Sequence, residues 1–321
     1  MAHFLRTYGT LLGMVLLVGF FWISLPDTFM TARNWLNISQ QVSMLAVVAA
    51  VMTVVMVMGD FDLSVGSMAS LAGVVAAVMF VQGFGIAAGV AAALAVGLLG
   101  GLVNGLLVSL IGILPFVATL ATLTMYSGLA FVISGGKTIF GRDIPQGFAD
   151  FARGGIALGG DKPLVLPYLT LTALAVVALV WLLLEQTSYG RRLYAIGGNM
   201  EAARLAGVRV TWLRLTAFGF TGVGAAVAGL MYAARVASAN PTQGAGLMLS
   251  AIAAVFLGMT MAENGQPRVL ASLAGVVVLG VMDNGLTQMQ VDSYVREVLV
   301  GLIILLAVSI SALGRRAVTG R

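Results

Sequence analysis

The chain has no cysteine and one histidine, His3, in 321 residues. Without cysteine there is no disulfide, no thiolate-held zinc or iron–sulfur centre and no thiol nucleophile. A lone histidine near the N-terminus leaves no His-based metal set and no Ser-His-Asp triad within the chain. Charge is scarce too, since Asp, Glu, Lys and Arg together make up only 9% of the residues. A membrane-embedded enzyme is therefore a weak reading, and no metal or cofactor is expected.

What is present is hydrocarbon. Hydrophobic residues reach 60%, glycines number 41 and the mean hydropathy is +1.03, more apolar surface than a soluble domain of this length can bury. The expected fold is all-α, a polytopic membrane helical bundle, forming one transmembrane domain over residues 1–321. On the ruler of about 20 residues per helical span, ten segments appear at roughly 8–25, 42–58, 64–82, 85–110, 113–134, 165–185, 213–234, 247–261, 268–287 and 297–313. The first ends at Pro26 without an Ala-x-Ala cleavage pattern, so it reads as a retained span. Between the second and third lies the short charged break Gly59-Asp60-Phe61-Asp62, which suggests a re-entrant or broken pair.

The net charge of +5 is explained by topology rather than by nucleic acid. With both termini in the cytoplasm, Arg6, Arg191, Arg192, Arg204, Arg209, Arg214, Arg268, Arg315, Arg316 and Arg321 fall inside, leaving 7 of the 17 basic residues outside. The longest outer loop, about 134–163, carries Lys137, Arg142, Asp143, Asp150, Arg153, Asp161 and Lys162. It is long enough to meet an extracytoplasmic partner, or it is simply solvated.

Two stretches look alike at an offset near 180: Gly101-Leu-Val-Asn104-Gly105-Leu106 with Pro115-Phe116-Val117, and Gly280-Val-Met-Asp283-Asn284-Gly285-Leu286 with Ser293-Tyr294-Val295. Five spans apart, such copies would run in opposite directions, as in an inverted-topology repeat. Chance is the competing account. The rows Gly97, Gly101, Gly105 and Gly224, Ala228 read as helix-packing positions.

The main polar surface is Tyr189–Arg214, which gathers 5 arginines. Asn199 is a helix N-cap, Glu201 lies in the first turn near the positive helix end, and Gly207 supplies a left-handed stop. Together they predict a helix of about two turns, Met200 to Ala206, with Ala202, Ala203 and Ala206 as a flat surface beside Glu201 and Arg204. So short a helix is marginal alone, so it must be held against something. Gly135-Gly136-Lys137-Thr138 is not a phosphate loop, because Phe131 occupies the position of its first glycine. Any ATPase is a separate polypeptide.

Asp60 and Asp62 stand at a membrane edge, where an unpaired carboxylate is costly. They order the broken turn beside a pathway, or Asp62 or Ser64 caps the third span. Asn104, Phe116, Thr119, Thr122, Asp283 and Asn284 are the candidate pathway residues.

Several blocks resemble the permease subunits of ATP-binding-cassette sugar importers of the ribose, xylose and arabinose class. Glu201-Ala202-Ala203 followed at Gly207 is similar to that family's coupling loop, with Gly190-Arg191 and Ala195-Ile196-Gly197-Gly198-Asn199 matching its lead-in. Asp62-Leu63-Ser64-Val65-Gly66, Pro115–Leu120 and Ala251–Val255 match three further blocks in order. The chain departs from the family at Gly258–Pro267. The resemblance implies a monosaccharide importer of the bacterial inner membrane. Two copies of an ATPase subunit would grip the loop at about 186–213, a periplasmic sugar-binding protein would deliver substrate, and a second permease copy or paralogue would complete the pathway. An ion-coupled transporter using Asp60, Asp62 or Asp283 is the alternative.

Overall fold

The computed structural model describes residues 2–159, 164–262, 265–295, 297–303 and 305, with side chains from Leu12 onward. Twelve helices run in chain order through the described residues. Helix α1 covers Ala2–Ser24, α2 Ala32–Met56, α3 Val65–Val81 and α4 Ile86–Leu106, which runs on through a π-helical turn, Leu107–Ile111. They are followed by α5, Pro115–Ser134, the short α6, Gln146–Arg153, and α7, Tyr168–Trp181, extended by a second π-helical turn to Gln186. Helices α8, Ser188–Gly198, and α9, Met200–Leu205, form the polar loop. Last come α10, Val210–Val236, α11, Leu247–Met261, and α12, Val269–Gln288.

The ends of these helices follow local chemistry. Thr31 caps α2 by accepting from the Asn34 N–H, Pro115 opens α5 where a missing N–H costs nothing, and Gly135 closes α5 in the left-handed region. The bundle is helical, as expected. Six helices among the described residues are long and apolar enough to cross a bilayer: α2, α4, α5, α7, α10 and α12. Leu12–Ser24, α3 and α11 are apolar but shorter. The segment at 297–313 lies largely outside the described residues, as do Asp161, Lys162, Arg315, Arg316 and Arg321.

Helices α2 and α10 form the centre, with 72% and 78% of their apolar windows buried, whereas α4, α5 and α7 are about one-third buried or less. A helix apolar all round belongs either inside a core or against lipid; the central pair takes the first place and the outer three present Leu98, Leu99, Val132 and Leu179 outward. The glycine row of α4 is what lets α10 sit so close. A Cβ on Gly101 would stand 2.2 Å from the Phe218 carbonyl oxygen, and one on Gly222 would stand 2.1 Å from that of Gly97. Gly224 opens the other side of α10 to Val51 of α2. Such close backbone approach substitutes for the hydrophobic driving force that lipid removes. Gly222→Leu is expected to force the pair apart and cost about 3 kcal/mol, the upper end of overpacking penalties. Thermal unfolding of the purified chain in detergent reads this out; an unchanged midpoint would show that the seam can open freely.

The segments between the long helices gather at two ends. The end that carries the expected coupling loop, termed the coupling end, holds α8 and α9, the α2–α3 turn and the α11–α12 link. The loop end holds the long 135–167 segment, which contains α6 and two small antiparallel ladders. Strand β1, Ile139–Phe140, pairs with β4, Ser238–Ala239, and β2, Gly155–Leu158, pairs with β3, Leu164–Pro167. The Gly135–Thr138 tetrad serves here: Gly135 and Gly136 turn with positive φ, and Thr138 Oγ1 accepts from Asn240 Nδ2 at 2.8 Å.

Candidate functional site

The polar loop is built as two capped helices rather than one. Thr187 caps α8 by accepting from the Gly190 N–H, and Asn199 Oδ1 caps α9 by accepting from the Ala202 N–H at 3.0 Å. The stop after α9 is a Schellman arrangement: Val208 N–H donates to the Ala203 carbonyl and Gly207 N–H to that of Arg204, each at 3.0 Å, with Gly207 at φ +82°. The expected helix from Met200 is thus present, ending at Leu205, and α8 before it is an addition that the lead-in residues did not suggest.

The loop is anchored to the bundle. Leu193 and Ile196 of α8 are buried, Tyr189 Oη meets Thr216 Oγ1 at 3.0 Å, and the α-carbon of Gly197 lies so close to the Val57 carbonyl that a Cβ could not fit. Tyr194 Oη donates to the Pro267 carbonyl at 3.0 Å and approaches Glu185 Oε1 at 3.2 Å. Burial, and then the Glu185 carboxylate, hold this phenol well above its ordinary value, so it stays protonated and keeps donating. Of the expected alanine surface, Ala203 turns inward and is buried, while Ala202 and Ala206 face out. Leu205, which the sequence reading passes over, is 82% exposed at the tip beside Glu201 and Arg204. The 3.7 Å pair between those two charges is open to solvent and worth little. The tip is therefore a small apolar knob framed by one acid and one base.

Immediately beneath lies the α2–α3 turn. Gly59 takes φ +82° and swings Asp60 toward the start of α10, where Arg214 Nε donates to Oδ2 at 2.8 Å and its terminal nitrogen donates to Oδ1 at 2.7 Å. This two-pronged ion pair is nearly enclosed, with side-chain exposures of 14% for Arg214 and 5% for Asp60. Arg214 belongs to the basic loop by sequence, but in the fold it is the partner of Asp60. Two residues on, Asp62 is buried and accepts from four groups: Ser64 N–H at 2.9 Å, Ser64 Oγ at 2.6 Å, Thr221 Oγ1 at 2.9 Å and Asn104 Nδ2 at 3.4 Å. Asn104 also donates to Ser64 Oγ at 2.8 Å and accepts from Thr122 Oγ1 at 2.6 Å, while Thr119 Oγ1 bonds the Pro115 and Phe61 carbonyls. Asp62 thus closes the turn ahead of α3 and ties together α3, α4, α5 and α10. Gly66, one turn on, abuts the backbone of Gly244.

The six candidate pathway residues do not share one place. Asn104, Thr119 and Thr122 are buried in the Asp62 network. Phe116 is 56% exposed on α5. Asn284 sits at the loop end, accepting from Asn34 Nδ2 at 3.0 Å and Gln288 Nε2 at 2.8 Å, and Asp283 beside it is exposed. The 25-residue α2 separates the two groups by roughly 35 Å. Next to Asn34 opens an 820 Å³ cavity bordered by Arg33, Asn37, Gln40 and Arg153 together with Leu36, Val165 and Pro167.

Residues 34–308 match the family model described as branched-chain amino acid transport system / permease component. The chain belongs to this permease family. It is 37% identical to the ribose import permease protein RbsC of Bacillus subtilis (strain 168) over 304 residues, covering 95% of this chain and 92% of that one. It is 31% identical to the D-allose transport system permease protein AlsC of Escherichia coli (strain K12), covering 97% and 93%. With the galactose/methyl galactoside import permease protein MglC of the same strain it shares 33% identity, covering 89% and 88%. The family model is named for amino acids and these relatives for sugars, so membership fixes the permease role more tightly than the cargo. Within the permease, the anchored knob at Leu205 and the Asp60–Arg214 pair occupy the same end of the bundle.

Proposed function

We propose that this permease is the transmembrane subunit of an importer that carries a monosaccharide, a pentose, hexose or related polyol, and that a separate ATPase subunit drives it. The observation that carries the reading is sequence identity of 31–37% with three sugar permeases along nearly the whole chain. The α8–α9 loop supports it: an exposed leucine on a rigid capped helix suits docking into a partner's cleft. Two ATPase copies would seat on two such loops, one from this chain and one from a second copy or a paralogue. A sugar-loaded receptor in the periplasm would meet the loop end. In this reading the chain crosses the bacterial inner membrane ten times, with both termini in the cytoplasm and the coupling end on that side, and hydrolysis takes place in the partner.

An inverted repeat is part of the proposal. Asn240 Oδ1 accepts from Thr242 N–H at 2.8 Å and Thr242 Oγ1 at 2.7 Å, the same turn that Asp62 makes with Ser64, at an offset of 178 residues. One turn follows α2 and precedes the short α3; the other follows α10 and precedes the short α11. The ion-coupled alternative has no such support, since Asp60 is neutralised by Arg214, Asp62 is held by donors from Ser64, Thr221 and Asn104, and Asp283 is exposed.

The test is reconstitution with the ATPase subunit and uptake of labelled ribose, allose and galactose. Leu205→Asp is expected to weaken ATPase association at least about tenfold, because burying a leucine is worth about 1.5–3 kcal/mol and 1.4 kcal/mol is a factor of ten. Glu201→Arg should add charge mismatch and lose coupled hydrolysis. If both variants bind and couple like the parent, the loop is not the docking element.

A further inference from the structure

At the coupling end a cavity of 300 Å³ opens between α7 and the start of α12, bordered by Trp181, Glu185, Gln266, Arg268 and Leu270. The spans set its height. Helix α7 with its π-helical turn stops at Gln186 and α12 starts at Val269, and both are long and apolar enough to cross a bilayer, so the cavity stands at the edge of the hydrocarbon layer. Trp181 lies roughly 8 Å inside that end, at the level where amphipathic indole rings collect. On the same face of α7, one and two turns deeper, Ala178 and Leu174 are exposed, as is Leu270 across the cavity.

Two opposite charges border this space, and no ion pair among the described residues involves either of them. Glu185 meets Tyr194 Oη of α8 through Oε1 at 3.2 Å, which leaves its second oxygen for another donor. Arg268 and Gln266 bring donors from the other side. Gln266 comes from Gly258–Pro267, the stretch in which the chain departs from the sugar-importer resemblance. Charges at a membrane edge are costly unless a partner covers them. A cavity with an acid and a base, continuous with an exposed apolar stripe that runs into hydrocarbon, matches an amphiphile whose headgroup carries both signs.

We infer that this cavity holds the headgroup of a phosphatidylethanolamine from the leaflet on the coupling side. Its ammonium donates to the second oxygen of Glu185, its phosphate accepts from Arg268 and Gln266, and one acyl chain lies along Ala178 and Leu174. A choline headgroup has no N–H for Glu185, and a glycerol headgroup has no cation. Tyr194 of α8 bonds both Glu185 and the Pro267 carbonyl, so a lipid seated between Glu185 and Arg268 braces the base of the polar loop. The inference needs the membrane setting alone and is independent of the cargo and of the ATPase.

Native mass spectrometry of the full chain, purified in detergent and titrated with phosphatidylethanolamine, phosphatidylcholine and phosphatidylglycerol of the same acyl chains, gives the Kd of the first lipid bound. The ethanolamine lipid is expected to bind at least about tenfold more tightly than the other two, the factor that one charge-assisted hydrogen bond supplies. Glu185→Gln and Arg268→Gln should each bring it down to their level, whereas Arg142→Gln, exposed at the loop end, should keep the preference. Unfolding midpoints without lipid check that the variants fold, and the lipid series on the unaltered chain decides by itself if one does not. Equal affinity for all three lipids would overturn the inference. A preference for the glycerol lipid would overturn it too, reducing the site to a phosphate contact at Arg268. An ethanolamine preference that survives both substitutions would place the headgroup elsewhere. Ribose or galactose that raises the midpoint of the lipid-free chain, but not that of Glu185→Gln, would give the cavity to a soluble sugar instead.

Discussion

Arg214→Met is expected to destabilise the permease by about 3–5 kcal/mol, the cost of stripping one partner from a buried ion pair. The size follows from what stays behind. Asp60 is 4% exposed, and its carboxylate would keep neither the fork of Arg214 nor access to water. Asp60→Leu should cost a similar amount by orphaning the guanidinium. The double variant Asp60→Leu, Arg214→Met removes both charges together and is expected to recover most of the loss, since apolar replacement of a buried pair is often neutral or better. Denaturant titration of the four proteins in detergent checks this. Single variants within about 1 kcal/mol of the parent would mean that water reaches the pair, as at an exposed salt bridge.

The second large effect is expected at Asp62. Asp62→Leu takes the acceptor from Ser64 N–H, Ser64 Oγ, Thr221 Oγ1 and Asn104 Nδ2 at once. Thr221 and Asn104 have second acceptors in the Phe218 carbonyl and Ser64 Oγ, so the Ser64 groups bear most of the loss. At about 1–3 kcal/mol per orphaned buried donor, the expected cost is about 2–6 kcal/mol. Asp62→Asn keeps the oxygen that closes the Ser64 turn, and its amide can donate to Thr221 Oγ1 while that hydroxyl donates to Phe218. Its cost should stay near 1 kcal/mol, the value of one hydrogen bond. Unfolding midpoints of the two variants separate geometry from charge: equal damage from Asn and Leu would show that the negative charge itself is required.

Both residues stood out in the sequence as charges in an apolar chain, and their partners did not. Asp60 and Arg214 are 154 residues apart, and Asp62 and Thr221 are 159 apart. Nothing local links them. Asn104 and Thr122 read as pathway residues because polar side chains in a membrane span suggest a passage, yet the same chemistry also satisfies a buried carboxylate. Only knowledge of which face meets which neighbour separates these uses. The Asn240 turn is not legible beside Pro241 either, because its likeness to the Asp62 turn is recognisable only once both are seen to precede short helices.

The sequence by itself determined the membrane setting, the principal helices, the absence of thiol and imidazole chemistry, and the capped helix from Met200 to the Gly207 stop. These depend on composition and on interactions within a few residues, where spacing along the chain is also distance in space. Tertiary structure alone decided that Leu205 rather than Ala203 points outward, that Arg214 neutralises Asp60, that the first turn of α3 packs on the segment leading into α11, and that Asn104 and Asn284 lie at opposite ends. Each depends on which helix faces come together, and in this chain glycine contacts such as Gly101 on Phe218 and Gly66 on Gly244 set that arrangement. Side chains far apart in sequence become neighbours only after those backbones have closed.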